Sequence, residues 1–252
     1  MFLLKKKGKE NIWEFPDLSP ENRPENTLDF HSPLCRLAGV DLPHLFYGGD
    51  FVVKNIVNEE EKIQVYRLRH RIFCEELRWV PQKEEGLEMD DYDKDAIFFG
   101  VFNKQKKLVA FLRLILSNGH FMIEREFFSL VDSRHKIRKA RDTVEVSRLC
   151  VAPEARDRMI TGNFGLHNIS MLLYKGVYHW CIRHDIRYLY LVVEAKIYRL
   201  LRIQGFPCRL IGEPKVMPDK VTAVAAIMNV REFERLSTLK QSQMMRWFFS
   251  KN

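Results

Sequence analysis

Two apolar runs, AIFFGVFN at 96–103 and LVAFLRLIL at 108–116, are separated only by the polar segment KQKK. Runs rich in β-branched and aromatic residues with so short a connection predict a β-hairpin. Before the hairpin, acids followed by helix formers at helical spacing predict a helix at about 59–77. After it, strand and helix patterns alternate. We therefore expect an α/β fold (an α+β sandwich), with a mixed central sheet flanked by helices on both faces.

The alternation after the hairpin can be followed segment by segment. A short helix is predicted at EREFFSLV and a long amphipathic helix at GLHNISMLLYKGVYHWCIRHD. A further helix, KIYRLLRIQG, is closed by Gly205, and the segment from residue 231 onward is also predicted to be helical. Strands are predicted at VEVSRLCV, at RYLYLVVE and near CRLIG.

Proline usage divides the chain into three parts. Residues 1–48 hold five of the ten prolines, which predicts an extended arm. Residues 49–235 form the predicted folded domain. Residues 236–252 are predicted to form a helical tail, and its apolar end indicates packing on the domain or on a partner.

The formal net charge of +8 suits nucleic acid, an anionic membrane surface or an acidic partner, and charge alone does not choose among them. We expect no nucleic-acid partner, because helix-turn-helix and RNP patterns are absent and acids interrupt the basic runs. We expect no membrane span, because no apolar run approaches about 20 residues. The five cysteines form no CxxC pair, which argues against a zinc site and predicts a cytoplasmic location.

The segment LEMDDYD, residues 87–93, places four carboxylates within seven residues of a basic chain. A calcium loop that begins at Asp91 would need glycine and glutamate where Ala96 and Phe102 stand, so calcium is excluded. A solvated acidic turn is the simplest alternative. The other is a site for a cationic ligand, which depends on the residues that lie nearby.

An arginine and two aromatic residues lead up to this acidic segment. Arg69 and Phe73 are i, i+4 neighbours on the predicted helix, and Trp79 follows the end of the helix. An aromatic pair beside carboxylates can hold a cation through ring-face attraction and charge. By itself the Arg69 and Phe73 pair is more typical of an ordinary amphipathic helix.

Charged residues interrupt two of the apolar strands. Glu145 and Arg148 lie three residues apart, so a regular strand would point them to opposite faces and a β-bulge would bring them together. A glutamate in an apolar strand costs free energy unless it is paired, which indicates an edge position or a function. Arg113, midway along LVAFLRLIL, is predicted to be a counter-ion for one of the acids described above.

A glycine-containing loop precedes the long helix and carries Arg156 and Arg158. Arginines beside a helix N-terminus suit a phosphate or a pantetheine arm. The pattern matches neither a dinucleotide-binding fingerprint nor a P-loop, and most loops of this kind bind nothing.

Taken in chain order, these motifs resemble those of the LuxI-type autoinducer synthases, which make acyl-homoserine lactones. The segments YRLLRIQGFP, IGEP and AVAA follow in the family's order, so the resemblance covers about residues 52–235. It departs at SNGHFM, where the family usually has a threonine-rich turn that contains proline. The matching motifs are Arg69-x-x-x-Phe73, Trp79, Glu88-x-Asp90-x-Tyr92-Asp93, the LRL around Arg113, and Glu145-Val146-Ser147-Arg148.

The resemblance implies a GNAT-like fold, in which two central strands splay apart to admit a pantetheine arm, with residues 49–235 as the acyltransferase domain. It implies an acyl-homoserine-lactone synthase that makes quorum-sensing signals. The substrates would be S-adenosylmethionine (SAM) and an acyl group carried on acidic acyl-carrier protein or coenzyme A. No metal and no separate cofactor are expected, because phosphopantetheine arrives on the donor.

The resemblance also implies roles for single residues. Glu145 is the expected general base and Arg148 the second catalytic residue, and a bulge in their strand would supply N–H groups to an oxyanion. SAM binding is expected at Arg69, Phe73, Trp79, Asp90, Asp93 and Arg113. Contact with the acyl chain or pantetheine is expected at Phe111, Met122, Phe127, Ser147, Leu149, Arg156 and Arg158. An acidic carrier protein is expected to dock on Arg134, Lys136, Arg138, Lys139, Arg156 and Arg158.

Two other functions are compatible with the same sequence. GNAT-type acyltransferases that make N-acyl amino acids, or that accompany exosortase systems, share the acidic and E-x-S-R motifs. The more distant alternative is a non-enzymatic basic module that binds nucleic acid.

Overall fold

The computed structural model describes residues 46–82, 84–162, 165–240 and 243–250. Within these ranges, nine strands form the main sheet and two more form a separate hairpin. The main sheet contains β1 (Phe46–Gly48), β2 (Phe51–Ile56), β3 (Ala96–Asn103), β4 (Leu108–Leu116), β5 (Thr143–Val151), β8 (Tyr188–Glu194), β9 (Arg209–Leu210), β10 (Lys215–Val216) and β11 (Thr222–Asn229). The separate hairpin consists of β6 (Met159–Gly162) and β7 (Gly165–Asn168).

Helices cover both faces of the main sheet. Phe98 and Phe99 are neighbours on β3, so their side chains point to opposite faces. Phe98 makes an edge contact with Tyr66 of the first helix, whereas Phe99 makes one with Trp180 of the second. The predicted mixed sheet with helices on both faces is therefore confirmed. The helices are α1 (Glu59–Arg69), α2 (Ile169–Arg183), α3 (Ala195–Ile203), α4 (Val230–Lys240) and α5 (Gln243–Phe249).

The strand order in the main sheet is β1-β2-β3-β4-β5-β8-β11-β10, with β9 also paired to β11. Antiparallel pairing joins β3 to β4, as the two apolar runs predicted. Strands β5 and β8 are parallel, and their register runs only from Thr143 opposite Tyr188 to Val146 opposite Leu191. Beyond these residues β5 continues to Val151 without pairing to β8. The two central strands therefore separate at their carboxyl ends.

Helix α1 begins where the sequence predicts. The Asn58 side chain accepts a hydrogen bond from the Glu60 N–H at 2.7 Å, and three glutamates occupy the first turn. After Arg69 the helix continues as a wider π-helical turn at His70–Glu76. The predicted helix of 59–77 therefore has the right extent, but its last part has the π geometry that often occurs near functional sites.

Removing the cap of α1 is expected to cost little. Asn58→Ala loses the side-chain acceptor for the first N–H groups of the helix, so we expect the free energy of unfolding to fall by about 1 kcal/mol. Urea denaturation followed by circular dichroism measures the change. Gln105→Ala, at an exposed turn, is the control and should stay within about 0.5 kcal/mol of the wild type. An equal loss in both variants would argue against the cap.

Two helix predictions need correction. EREFFSLV, residues 124–131, does not form one helix: a 3₁₀ turn at Met122–Glu124 ends at its first residue and a second covers Phe128–Leu130, because tertiary hydrogen bonds fix the backbone on either side of the segment. Just before the segment, the N–H groups of Met122 and Ile123 donate to the Glu145 carboxylate, and just after it the Asp132 N–H donates to Ile211 O at 2.8 Å. The long helix starts at Ile169, because the preceding GLHN pairs with β6 as a strand.

The C-terminal segment packs on the domain. Trp247 and Phe248 of α5 are buried, and Trp247 stacks on His167 with 4.0 Å between ring centroids. Helix α4 runs across residue 235, the predicted end of the domain. The predicted arm lies, up to residue 45, outside the described residues. Among the helices that the structure describes, none has the length and apolarity needed to cross a bilayer.

Candidate active site

Strand β5 contains a bulge at the place where it separates from β8. On its other side, Phe111 of β4 lies opposite Cys150 and Arg113 lies opposite Ser147, so β5 has one more residue than β4 over this interval. Arg148 lies within the bulge and has a left-handed backbone with a φ of 53°. Of the two arrangements considered for this strand, the bulge is the one found.

Arg69 lies at the centre of a buried ionic cluster. Its guanidinium has no exposed surface, and its Nε donates to the Glu88 carboxylate, which is 1% exposed. Its Nη1 donates to Asp93 Oδ1 at 2.7 Å, and its Nη2 lies 3.6 Å from Asp90 Oδ2. One helix residue therefore reaches three carboxylates of the acidic segment.

Arg113 approaches the same carboxylates from the sheet. It is fully buried, and its Nη1 donates to Asp90 and to Asp93 Oδ1, the latter at 2.6 Å. Its Nε donates to Ser147 Oγ at 2.9 Å, and its Nη2 contacts Met122 Sδ at 3.4 Å. Its predicted role as a counter-ion to the acids is confirmed.

Arg148 is the third arginine and the most exposed of the three. Its Nη2 lies 3.0 Å from Glu88 Oε1 and 2.9 Å from Asp90 Oδ2. The guanidinium lies over the Phe73 ring at 5.4 Å, and Phe73 contacts Trp79 with 6.2 Å between ring centroids. Trp79 is 42% exposed, and the Arg148 and Asp90 side chains are 15% and 20% exposed, so the cluster reaches solvent on this side.

The acidic segment is shaped by its own carboxylates. Asp90 caps the 3₁₀ turn Asp91–Asp95 by accepting from the Tyr92 N–H at 3.0 Å, and Asp93 accepts from the Asp90 N–H at 3.0 Å. Asp91 points to water, with its side chain 91% exposed. Tyr92 lies 5.7 Å from the Arg113 guanidinium. Asp90 and Asp93, which the sequence predicted to face a ligand, turn inward toward the buried arginines, whereas Asp91 does not.

The arginines of the cluster keep the Glu88 and Asp90 carboxylates ionised. Burial raises the pKa of Glu88, but hydrogen bonds and charge from Arg69 and Arg148 outweigh burial and lower the pKa. For Asp90, burial likewise raises the pKa, and Arg113 with the other two arginines lowers it below the usual range. Because these folded-state pKa values are lowered, the ion pairs stabilise the fold above the ordinary carboxyl range and lose this contribution as the pH falls.

Glu145 has a raised pKa, in contrast to Glu88 and Asp90. It is 1% exposed, and its two oxygens accept from the backbone N–H groups of Met122 and Ile123. Burial raises the pKa of Glu145 to about 8, although the backbone hydrogen bonds and Arg113 act in the opposite direction. The carboxyl group is joined to the ionic cluster through Met122, whose sulfur contacts Arg113 and Arg148.

The remaining predicted site residues lie in three places: beside the ionic cluster, against the apolar cores and on the surface. Ser147 and Met122 contact the cluster, and buried Phe111 lies 5.9 Å from the Arg69 guanidinium. Leu149 is half-buried against the main core, and half-buried Phe127 packs on a second apolar cluster. Arg156 binds Glu76 at 2.7 Å on the surface, and Arg158 is exposed, so neither joins the ionic cluster.

Most of the expected docking cations are paired with acids of the same chain. The pairs are Arg134 with Asp132, Arg138 with Asp142, Lys139 with Glu124 and Arg156 with Glu76. Lys136 and Arg158 are exposed and have no ion pair within the described residues.

Within the cluster, Glu88 is the residue for which the sequence predicts no role. It lies within the acidic motif, two residues before Asp90, and that spacing was the available signal. Its near-complete burial between two arginines depends on tertiary packing.

A mixed sheet whose central parallel strands, β5 and β8, separate at their carboxyl ends, with a bulge in β5, is a GNAT-like acyltransferase fold. Comparison with known proteins gives the family, because the autoinducer synthase model matches residues 54–237. The chain belongs to the autoinducer synthase family.

Similar proteins agree with this assignment. An acyl-homoserine-lactone synthase of Rhizobium radiobacter is 27% identical over 69% of this chain and 81% of its own length. One of Vibrio anguillarum is 24% identical over 64% of this chain and 81% of its own. A CoA-dependent acyl-homoserine lactone synthase, solved with SAM and isopentyl-CoA, has the same fold. It gives a TM-score of 0.61 at 20% identity, over 75% of this chain and 92% of that one.

Proposed function

We propose that this protein is an acyl-homoserine-lactone synthase. It transfers an acyl group from a thioester donor to the amine of SAM, and lactone closure then releases methylthioadenosine. The observation that carries this proposal is the cluster of three arginines and three carboxylates, which reaches solvent beside Trp79 at the opening between β5 and β8.

The cluster has the chemistry to bind a molecule that carries both signs of charge. Asp90 and Asp93 suit the ammonium and sulfonium groups of SAM, whereas Arg69, Arg113 and Arg148 suit its carboxylate. Phe73 and Trp79 add aromatic faces that attract cations. The same residues would therefore hold the nucleophilic amine beside the bulge of β5.

The acyl transfer needs a base and a site for negative charge. Glu145 accepts a proton from the ammonium group, directly or through one water, and its raised pKa matches this task. The free amine attacks the thioester carbonyl, backbone N–H groups at the bulge around Arg148 stabilise the oxyanion, and the donor leaves as a thiol. The substrate carboxylate then attacks the carbon next to the sulfonium, which breaks that C–S bond and releases methylthioadenosine.

The donor is an acyl thioester of coenzyme A or of an acidic acyl-carrier protein. Exposed Arg158 and Lys136 suit phosphate or acidic groups, which both donors carry. Phe111, Phe127 and Leu149 are the candidate apolar contacts for the acyl chain. A cytoplasmic location, where both donors occur, stays a prediction.

One assay separates this function from its alternatives. Purified protein is given SAM with an acyl-CoA or an acyl-carrier-protein thioester, and thiol and methylthioadenosine are measured together. The proposal expects equal amounts of both. Thiol release without methylthioadenosine would favour an N-acyltransferase that acylates free amino acids. Salt-dependent DNA binding with no thiol release would favour a nucleic-acid-binding module.

Trp79 provides a test that leaves the buried cluster intact. Trp79→Ala removes an exposed ring beside Phe73, so we expect the KM for SAM to rise about 10-fold through loss of cation–π attraction. The melting temperature should change little, because the side chain is 42% exposed. Steady-state kinetics with varied SAM measure the effect, and Trp79→Phe should retain most of the affinity. A KM equal to that of the wild type would remove Trp79 from the site.

A further inference from the structure

Glu88 is held in place by its backbone as well as by its side chain. Its N–H donates to the carbonyl of Tyr66 on α1 at 3.1 Å, which fixes the segment that leads into the acidic turn. The carboxylate is 1% exposed and lies between the guanidinium groups of Arg69 and Arg148. The mechanism proposed above gives this carboxylate no direct contact with a reacting atom.

The Glu88 carboxylate joins two arginines from different elements. Oε2 accepts from Arg69 Nε of α1, and Oε1 accepts from Arg148 Nη2 at 3.0 Å and from Arg148 Nε at 3.3 Å. Arg148 has a sparsely populated left-handed backbone, which persists only where surrounding contacts hold it. One carboxylate therefore ties the bulge of β5 to α1.

Asp90 is the other carboxylate that Arg148 reaches, and it is more accessible. Its side chain is 20% exposed, against 1% for Glu88. An ammonium group that binds Asp90 competes with the guanidinium of Arg148 for the same oxygens. Glu88 then remains the carboxylate that keeps Arg148 oriented and neutralised.

We propose that Glu88 is a positioning residue for SAM binding, a role that rests on the proposed function. It holds Arg69 and Arg148 in place and balances their charge while Asp90 and Asp93 bind the cationic groups of the substrate. Loss of the Glu88 charge leaves the site with one more net positive charge. Arg148 then binds Asp90 in competition with the ammonium group of the substrate.

Kinetics of Glu88→Gln and Glu88→Asp test this role. Glutamine keeps the size but loses the charge, and aspartate keeps the charge but is too short to bridge both arginines. For Glu88→Gln we expect the KM for SAM to rise about 10-fold or more, with the KM for the acyl donor within about twofold of the wild type. Glu88→Asp should raise the KM for SAM by about threefold. Should Glu88→Gln fail to fold, Glu88→Asp decides.

The control is Glu61→Gln, which removes a carboxylate paired with Lys54 at 2.6 Å at the start of α1. It should leave both KM values unchanged. An unchanged KM for SAM in both Glu88 variants would overturn the proposal. So would a loss confined to kcat, because a merely structural role reduces the amount of active enzyme without separating the two substrates. Methylthioadenosine release by the wild type tests the proposed function separately.

Discussion

Glu145→Gln is expected to lower kcat for acyl transfer by about 100-fold or more, the usual contribution of a general base. The glutamine cannot take the proton that the substrate amine must lose. The wild-type kcat/KM should rise with pH toward a midpoint near 8, because burial raises the pKa of Glu145 to about 8 and only the carboxylate acts as base. Stopped assays of thiol release across pH 6–9 measure both effects.

The substitution also removes one of the two acceptors for the N–H groups of Met122 and Ile123. Glu124→Gln is the matched control, because Glu124 accepts from the Phe121 N–H of the same 3₁₀ turn at 2.6 Å. Glu124→Gln should keep most of the wild-type kcat, and its kcat/KM should still rise with pH. Full turnover by Glu145→Gln, or an unchanged pH profile, would remove the base assignment.

Arg69→Met should lower the free energy of unfolding by about 3–5 kcal/mol and abolish SAM binding. The guanidinium is fully buried, and its loss leaves the Glu88 carboxylate buried without its principal partner. Urea denaturation measures the stability, and calorimetric titration with SAM measures the binding. Arg71→Met is the control, because Arg71 pairs with Glu154 at the surface, and its loss should cost less than about 1 kcal/mol.

A second substitution tests the cause of that instability. In the double variant Arg69→Met with Glu88→Met, the orphaned charge is removed together with its partner. We expect part of the lost stability to return, since the two residues are coupled. SAM binding should stay absent. If the losses of unfolding free energy in the two single variants were strictly additive in the double variant, the buried Glu88 charge would not be the source of the instability.

Several features of the fold and the site follow from short-range pattern. The hairpin was predictable because its strands are continuous apolar runs with a short connection, and α1 because acids and helical spacing mark its start. Arg69, Asp90 and Arg113 were predictable as a group, since motif order and spacing matched a family. The hairpin and the start of α1 are properties that neighbouring residues determine.

Other features depend on packing between distant segments. The burial of Glu88 follows from how the acidic segment lies on α1, and the left-handed backbone of Arg148 follows from register against β4. The guanidinium of Arg156, which was expected to contact a pantetheine arm, pairs with Glu76, 80 residues earlier in the chain, and no local pattern indicates that pair. EREFFSLV has a helical composition, yet Glu145 binds the N–H groups of Met122 and Ile123 just before it. Tertiary hydrogen bonds outweighed local propensity there.

The most direct test of the proposed function follows the carbon skeleton of the acceptor. Purified protein is given an acyl thioester, SAM labelled with ¹³C in its aminobutyryl carbons, and an excess of unlabelled amino acids. Mass spectrometry of the extracted products should find an N-acyl-homoserine lactone that carries the label, together with unlabelled methylthioadenosine. An unlabelled N-acyl amino acid as the product, with no labelled lactone, would contradict the proposed function.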